Sequence, residues 1–282
     1  MTESLILTLS GPDRVGIVHA VSGALAVHGG NITDAAQFND RSTGQFFMRV
    51  QFDVPSSAAE TVRAALAEVA QRLSLRWQLH AAHARMRTII LVSKLGHCLN
   101  DLLFRYRTQA LPLDIRAVVS NHRDFYRLAA SYDIPFHHIP VTPQTKPQAE
   151  ARLLQIVREE QAELVVLARY MQILSDDLCR ELQGRVINIH HSFLPSFKGA
   201  RPYHQAYDRG VKIIGATAHF VTDDLDAGPI IEQDVVRVSH RDTVEDLVRK
   251  GKDMERLALA RAVRMHLQHR VLTYANKTVV FE

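Results

Sequence analysis

From residue 88 onward the chain alternates short apolar runs with amphipathic stretches, and few architectures accept that order. Strand-like runs fall at 88–93, 115–119, 136–139, 164–168, 186–190 and 213–221. Helical apolar spacing fills most of the gaps, at about 98–108, 123–132, 147–161 and 175–181. Strand and helix in turn predict a mostly parallel α/β sheet, Rossmann-like, with helices on both faces. Residues 143–147 mark a loop, 242–268 read as one long amphipathic helix, and 271–274 with 278–281 read as a terminal hairpin.

The first 80 or so residues follow another pattern. Strand composition at 4–10 leads into a turn at 11–14 and a helix at 15–28, closed by Gly29-Gly30. Strands at 31–38 and 45–54, a helix at 58–73 and a strand at 74–79 complete a β-α-β-β-α-β order, the ferredoxin-like split pattern. A short linker, 81–87, follows. Two domains are expected, 1–82 and 86–282.

Composition narrows the function class. The chain has 282 residues, 46% apolar and 23% charged, which is ordinary globular usage. No apolar run reaches membrane-spanning length, and Met-Thr-Glu-Ser does not open a signal peptide. The two cysteines, Cys98 and Cys179, offer neither a disulfide framework nor Cys-x-x-Cys spacing, so reduced thiols and a cytoplasmic setting are expected. The net charge of +4, with 15 histidines uncounted, is spread without a polybasic block. Neither nucleic acid nor membrane is an expected partner, whereas an anionic small molecule suits a modestly basic surface.

Chemistry concentrates at Asn188-Ile189-His190 and, 36 residues after the histidine, at Asp226. Val186 to His190 read as a buried strand running into a turn before Pro195. Strand alternation points Asn188 and His190 the same way. Asp226 lies in the loop after the strand that carries His219, which places amide, imidazole and carboxylate at the carboxyl edge of one sheet. Together they supply a carbonyl-polarising donor, an acid/base and an orienting charge. No Ser or Cys elbow accompanies them, which favours direct attack by water or an amine. His190, His191, His219 and Asp226 are competent metal ligands, but adjacent strand residues face apart and His-Glu-x-x-His spacing is missing, so no metal is expected.

Asn188-Ile-His-x-Ser-x-Leu-Pro-Ser-Phe-Lys-Gly, the run His219 to Pro229, and Leu167 to Ser175 occur in the order and spacing of the folate-dependent formyltransferase family, which residues 86–282 resemble. Within it, Ser93 to Leu103 is similar to the deformylase branch: one glycine, Gly96, stands where ribonucleotide formyltransferases carry a Gly-x-Gly-Ser-Asn phosphate turn. Leucine and histidine beside it obstruct close backbone approach to a phosphate. Cys98 reads as a small residue opening a helix. The Gly-Pro-Asp-Arg-Val-Gly-Ile-Val run from Gly11, and Gly29-Gly30-Asn31-Ile32, resemble an ACT domain over residues 1–80.

The resemblance implies hydrolysis of 10-formyltetrahydrofolate, as substrate and not cofactor, to formate and tetrahydrofolate, feeding purine synthesis and balancing one-carbon pools. The alternative is formyl transfer to an amine acceptor. Asn188, His190 and Asp226 are the expected catalytic set. Asn188 and protonated His190 would stabilise the oxyanion, Asp226 would handle the water proton, and His219 would support it. Met171, Ile173 and Leu174 are expected to line the pterin pocket, without metal or cofactor. The ACT resemblance implies an amino-acid effector, with Asn31 and Ile32 as contacts, and a homo-oligomer built by ACT pairing.

Overall fold

The computed structural model describes residues 1–192 and 202–282. The Pro195 turn and the Leu194 to Gly199 stretch of the motif lie outside the described residues. The chain divides into two compact units. The first is Met1–Ala84 with Gln268–Tyr274 and Val279–Glu282; the second is Arg85–Leu267 with Ala275–Thr278.

In the first unit β1 (Thr2–Pro12), α1 (Ile17–Val27), β2 (Asn31–Asp40), β3 (Gln45–Pro55), α2 (Ala59–Leu73) and β4 (Arg76–Ala81) follow the β-α-β-β-α-β order. The antiparallel sheet runs β2-β3-β1-β4, so β2 is an edge strand. Ile17, Val21 and Leu25 of α1, and Val62, Leu66 and Val69 of α2, pack on its apolar face. Each such side chain withdrawn from water contributes about 1.5–3 kcal/mol. The turn after α1 needs Gly30, because a Cβ there would lie 2.9 Å from the Leu25 carbonyl oxygen.

The second unit contains β5 (Met86–Val92), α3 (His97–Arg107), β6 (Leu113–Ser120), α4 (Tyr126–Ala130), β7 (Phe136–His138), α5 (Lys146–Glu159), β8 (Leu164–Leu167), α6 (Asp176–Glu181), β9 (Val186–His190), α7 (Pro202–Arg209), β10 (Ile213–Phe220), β11 (Ile230–Arg237) and α8 (Val244–Leu267). Seven strands form one sheet in the order β11-β10-β9-β8-β5-β6-β7. The five from β9 to β7 are parallel, and the central β5 and β8 are buried on both faces. That is why Leu164-Val-Val-Leu167 is buried throughout, without polar alternation. Helix starts follow local chemistry: Pro147 stands in the first turn of α5, and the Ser175 hydroxyl accepts from Leu178 N at 3.3 Å to cap α6.

Three features depart from the sequence reading. β10 runs antiparallel to both β9 and β11. α7 and β11 were not foreseen; α7 has only eight residues, and seven of the eight residues of β11 are not buried, so it lacks a buried apolar face. The terminal hairpin, β12 (Val271–Tyr274) and β13 (Lys277–Val280), is divided between the units and does not fall wholly in the second.

Candidate active site

The antiparallel pairing of β10 with β9 assembles the polar set. Cross-strand partners share a face, and the register sets His219 opposite Asn188 and Thr217 opposite His190. Asn188, His190, Thr217 and His219 therefore project to one side. Asp226 does not arrive from a parallel neighbour's carboxyl end, as the sequence suggested. β10 leaves beside the amino end of β9, with Val221 N donating to Val186 O at 2.9 Å. The following loop folds back to put Asp226 on the polar face.

Two backbone details make that return possible. Asp226 adopts a left-handed backbone, φ 55°. Gly228 passes so close to β10 that a Cβ would lie 1.9 Å from the Phe220 carbonyl oxygen. Only glycine fits there.

His190 Nδ1 lies 3.1 Å from Asp226 Oδ2, and His219 Nε2 lies 3.7 Å from Oδ1. Burial alone would raise the Asp226 carboxyl, but the hydrogen bond from His190 leads the effects that more than offset it and hold the group well below the usual carboxylate range. Asp226 is therefore an anion at any physiological pH. With Nδ1 committed to it, His190 is left with a buried Nε2 that has no hydrogen-bond partner among the described residues.

His219 is 2% exposed, and its tautomer follows from its neighbours. Nδ1 lies 2.8 Å from the Phe220 carbonyl, which can only accept, so Nδ1 carries the proton. In the neutral ring Nε2 accepts from Asn188 Nδ2 at 3.2 Å. One amide N–H of Asn188 is thus used, and the second, without a partner among the described residues, can meet a ligand.

These groups border a cavity of about 350 Å³. Met171, Ile173 and Leu174 also line it. Met171 and Ile173 are 55% and 60% exposed, which separates them from core packing, whereas Leu174 belongs to the apolar core behind. The Ser93 hydroxyl accepts from Met171 N at 2.9 Å and pins this segment to the end of β5. Asn31 and Ile32 open the edge strand β2 of the other unit, both exposed.

Corrections fall behind the site. His191, expected to face away from His190, stacks on it, with ring centroids 4.8 Å apart and planes 19° apart. It follows the last residue of β9, so strand alternation no longer governs it. Arg169 NH1 donates to His191 Nδ1 at 2.6 Å. Glu255, 1% exposed, meets His97 Nε2 at 2.6 Å, the Tyr203 hydroxyl at 2.7 Å and Arg169 Nε at 3.3 Å. Burial pushes its carboxyl up, but the His97 hydrogen bond and the Arg169 charge hold it below the ordinary value. The sequence carried one signal of this cluster: Glu255 stands in the buried stripe of α8, with Leu247, Gly251 and Leu259. Cys98 is fully buried beside Glu255, and burial pushes its thiol well up. A thiol so held is no nucleophile.

The chain matches the Formyl transferase family over residues 86–263 and the ACT domain family over residues 3–80. It is 51% identical to the formyltetrahydrofolate deformylase of Corynebacterium sp. (strain P-1), over 98% of this chain and 97% of that protein. The crystal structure of a formyltetrahydrofolate deformylase from Pseudomonas syringae pv. tomato superposes with a TM-score of 0.96 at 50% identity, covering 100% of this chain and 95% of that one. The chain belongs to the formyltetrahydrofolate deformylase family. A glycinamide ribonucleotide transformylase from Symbiobacterium toebii is less similar. Its TM-score is 0.65 at 31% identity, and it covers 71% of this chain and 95% of its own. In this deformylase-family chain Gly96 has a packing cause: a Cβ there would lie 2.2 Å from the Phe125 ring.

Proposed function

We propose that the chain hydrolyses 10-formyltetrahydrofolate to formate and tetrahydrofolate. The observation that carries the reading is the His190–Asp226 pair, which leaves His190 Nε2 beside the cavity without a partner among the described residues. Near-full-length likeness to proteins named formyltetrahydrofolate deformylase supports it.

Asp226 accepts from His190 Nδ1–H and so aims Nε2 at the substrate. Water attacks the formyl carbon while its proton passes to Nε2. The spare N–H of Asn188 meets the formyl oxygen as charge develops there, a contact worth about 3–4 kcal/mol of barrier. The proton on His190 then passes to the departing nitrogen as the carbon–nitrogen bond breaks. The sequence pointed to Asp226 as carrier of the water proton. With Asp226 against His190 Nδ1 and Nε2 turned from it, that task is assigned to His190, and Asp226 orients it and balances its charge. Met171 and Ile173 offer exposed apolar surface to the pterin.

Transfer to an amine is the weaker reading, because Gly96 is filled by Phe125 and gives no phosphate cradle. The first unit serves regulation and assembly: a small amino acid binds near Asn31 and Ile32, and copies of the chain pair through this unit. Its supports are the ACT match and the edge strand β2, which exposes Ile32 and Phe38. The setting is cytoplasmic and the released formate serves purine synthesis; no described helix is long and apolar enough to cross a membrane. Purified chain incubated with 10-formyltetrahydrofolate and no amine should release formate and tetrahydrofolate one to one. Strict dependence on an amine acceptor would refute hydrolysis.

A further inference from the structure

The buried cluster behind His190 has no part in the reaction described so far, yet it ends at the cavity. Its chemistry is one-directional. A guanidinium has only donors and does not lose its proton in a protein. Arg169 NH1 lies 2.6 Å from His191 Nδ1, so that nitrogen must accept. His191 is then a neutral ring with its single proton on Nε2.

Glu255 fixes the arrangement from behind. It sits against Arg169 Nε and is itself held by His97 and Tyr203. Arg169 keeps a left-handed backbone, φ 65°, at the turn after β8, and its carbonyl accepts from Ser93 N at 3.1 Å. A non-glycine residue in that region is strained, and it persists where the surroundings demand it.

His191 Nε2 is buried, and it has no hydrogen-bond partner among the described residues. Leaving such a buried donor unpaired is unfavourable. The same ring borders the cavity and stacks on His190, whose Nε2 also has no partner among the described residues. Two stacked imidazoles of complementary kind thus border the same cavity. His190 Nε2 takes and returns a proton, and His191 Nε2–H can only donate.

We infer that His191 is a further catalytic residue, donating from Nε2 to the formyl oxygen as negative charge develops there, and that Arg169, backed by Glu255, is the positioning residue that fixes its tautomer. This rests on the hydrolysis reading and deepens it. With Asn188 it makes a two-donor oxyanion site. A neutral imidazole suits the task because it stays a donor without exchanging protons with His190. The groups facing the ring are Arg169, His190, Glu255, Asp226 and Tyr203. Burial first, then the Arg169 charge, push the His191 imidazolium down to about 4, so the ring remains neutral across the working range.

The test variant is His191→Asn, whose side-chain oxygen can replace Nδ1 as the acceptor for Arg169 while removing the Nε2 donor. Loss of one oxyanion donor lowers kcat roughly a hundredfold, and here KM should stay within a few fold. Nitrogen NMR of the histidine-labelled wild type supplies a second readout. It should show His191 with Nε2 protonated and Nδ1 bare at neutral pH, and the Nε2–H resonance should move when formate and tetrahydrofolate are added together. Wild-type kcat in the variant, a defect in KM alone, a proton on Nδ1, or an unmoved Nε2–H resonance would each overturn the inference. If the variant does not fold, the two spectra decide. Failure of the wild type to release formate would sink the hydrolysis reading instead, and the wild-type assay separates the two.

Discussion

His190 Nδ1 and Asp226 Oδ2 stand 3.1 Å apart, although one belongs to a strand and the other to a loop 36 residues later. The pair gives the imidazole a direction, and the direction gives the cavity its proton acceptor. Asp226→Asn keeps the shape and removes the charge. Turnover should fall by at least about a hundredfold, the lower range for disabling acid/base catalysis. Equilibrium binding of tetrahydrofolate should persist, because the apolar segment at Met171 and Ile173 is untouched. Near-normal turnover, or a defect confined to binding, would remove Asp226 from the mechanism.

The loop that delivers Asp226 depends on Gly228. Gly228→Ala places a methyl group 1.9 Å from the Phe220 carbonyl oxygen, and a backbone atom cannot turn aside as a side-chain tip can. Overpacking of this kind destabilises by about 1–3 kcal/mol. The urea midpoint should drop, and activity should fall further than stability accounts for, because the loop carries Asp226. Unchanged activity in a folded Gly228→Ala variant would show that Asp226 reaches His190 by another route.

Acid should weaken the fold in a way that reports on His191. Its imidazolium is pushed down to about 4, chiefly by burial and then by the Arg169 charge, against about 6.5 in an unfolded chain. Between those values the unfolded state binds a proton that the folded state does not, so stability falls as pH drops from about 6.5 toward 4. The depressed Asp226 carboxyl has its effect elsewhere. Its contribution is present above about 4 and is lost only in stronger acid. Denaturation curves from pH 7 to 5 should slope less for His191→Asn than for the wild type. Parallel curves would contradict a buried neutral His191.

If the first unit reads an amino acid, the full chain should respond to one. Glycine, methionine and other amino acids added to the hydrolysis assay should shift activity or substrate affinity by about 5- to 150-fold, the range of ordinary coupling energies. Asn31→Ala should abolish the response and leave basal turnover unchanged. A chain indifferent to every amino acid would leave this unit an assembly module alone.

The architecture was legible because its signals are periodic. The β-α-β-β-α-β order of residues 1–80 and the apolar strands β5, β8 and β9 follow from hydrophobic patterning. Antiparallel β10 was not legible, since one strand's direction depends on how the chain returns and not on its composition. The likeness to a family supplied Asn188, His190 and Asp226, and strand alternation supplied the shared face of the first two. It misled at His191, where the strand stops. Arg169 and Glu255 escaped because their meaning is tertiary: a buried charge is recognised by its partner, and Arg169 and Glu255 come from a turn and a helix far apart in sequence.

The central claim is that water is the acceptor. The most direct measurement is the mass of formate released when the purified chain turns over 10-formyltetrahydrofolate in heavy-oxygen water with no amine present. Hydrolysis puts one solvent oxygen in each formate, with tetrahydrofolate in equal amount and no product carrying the formyl group elsewhere. Formate without solvent oxygen, or none until an amine is supplied, would contradict it.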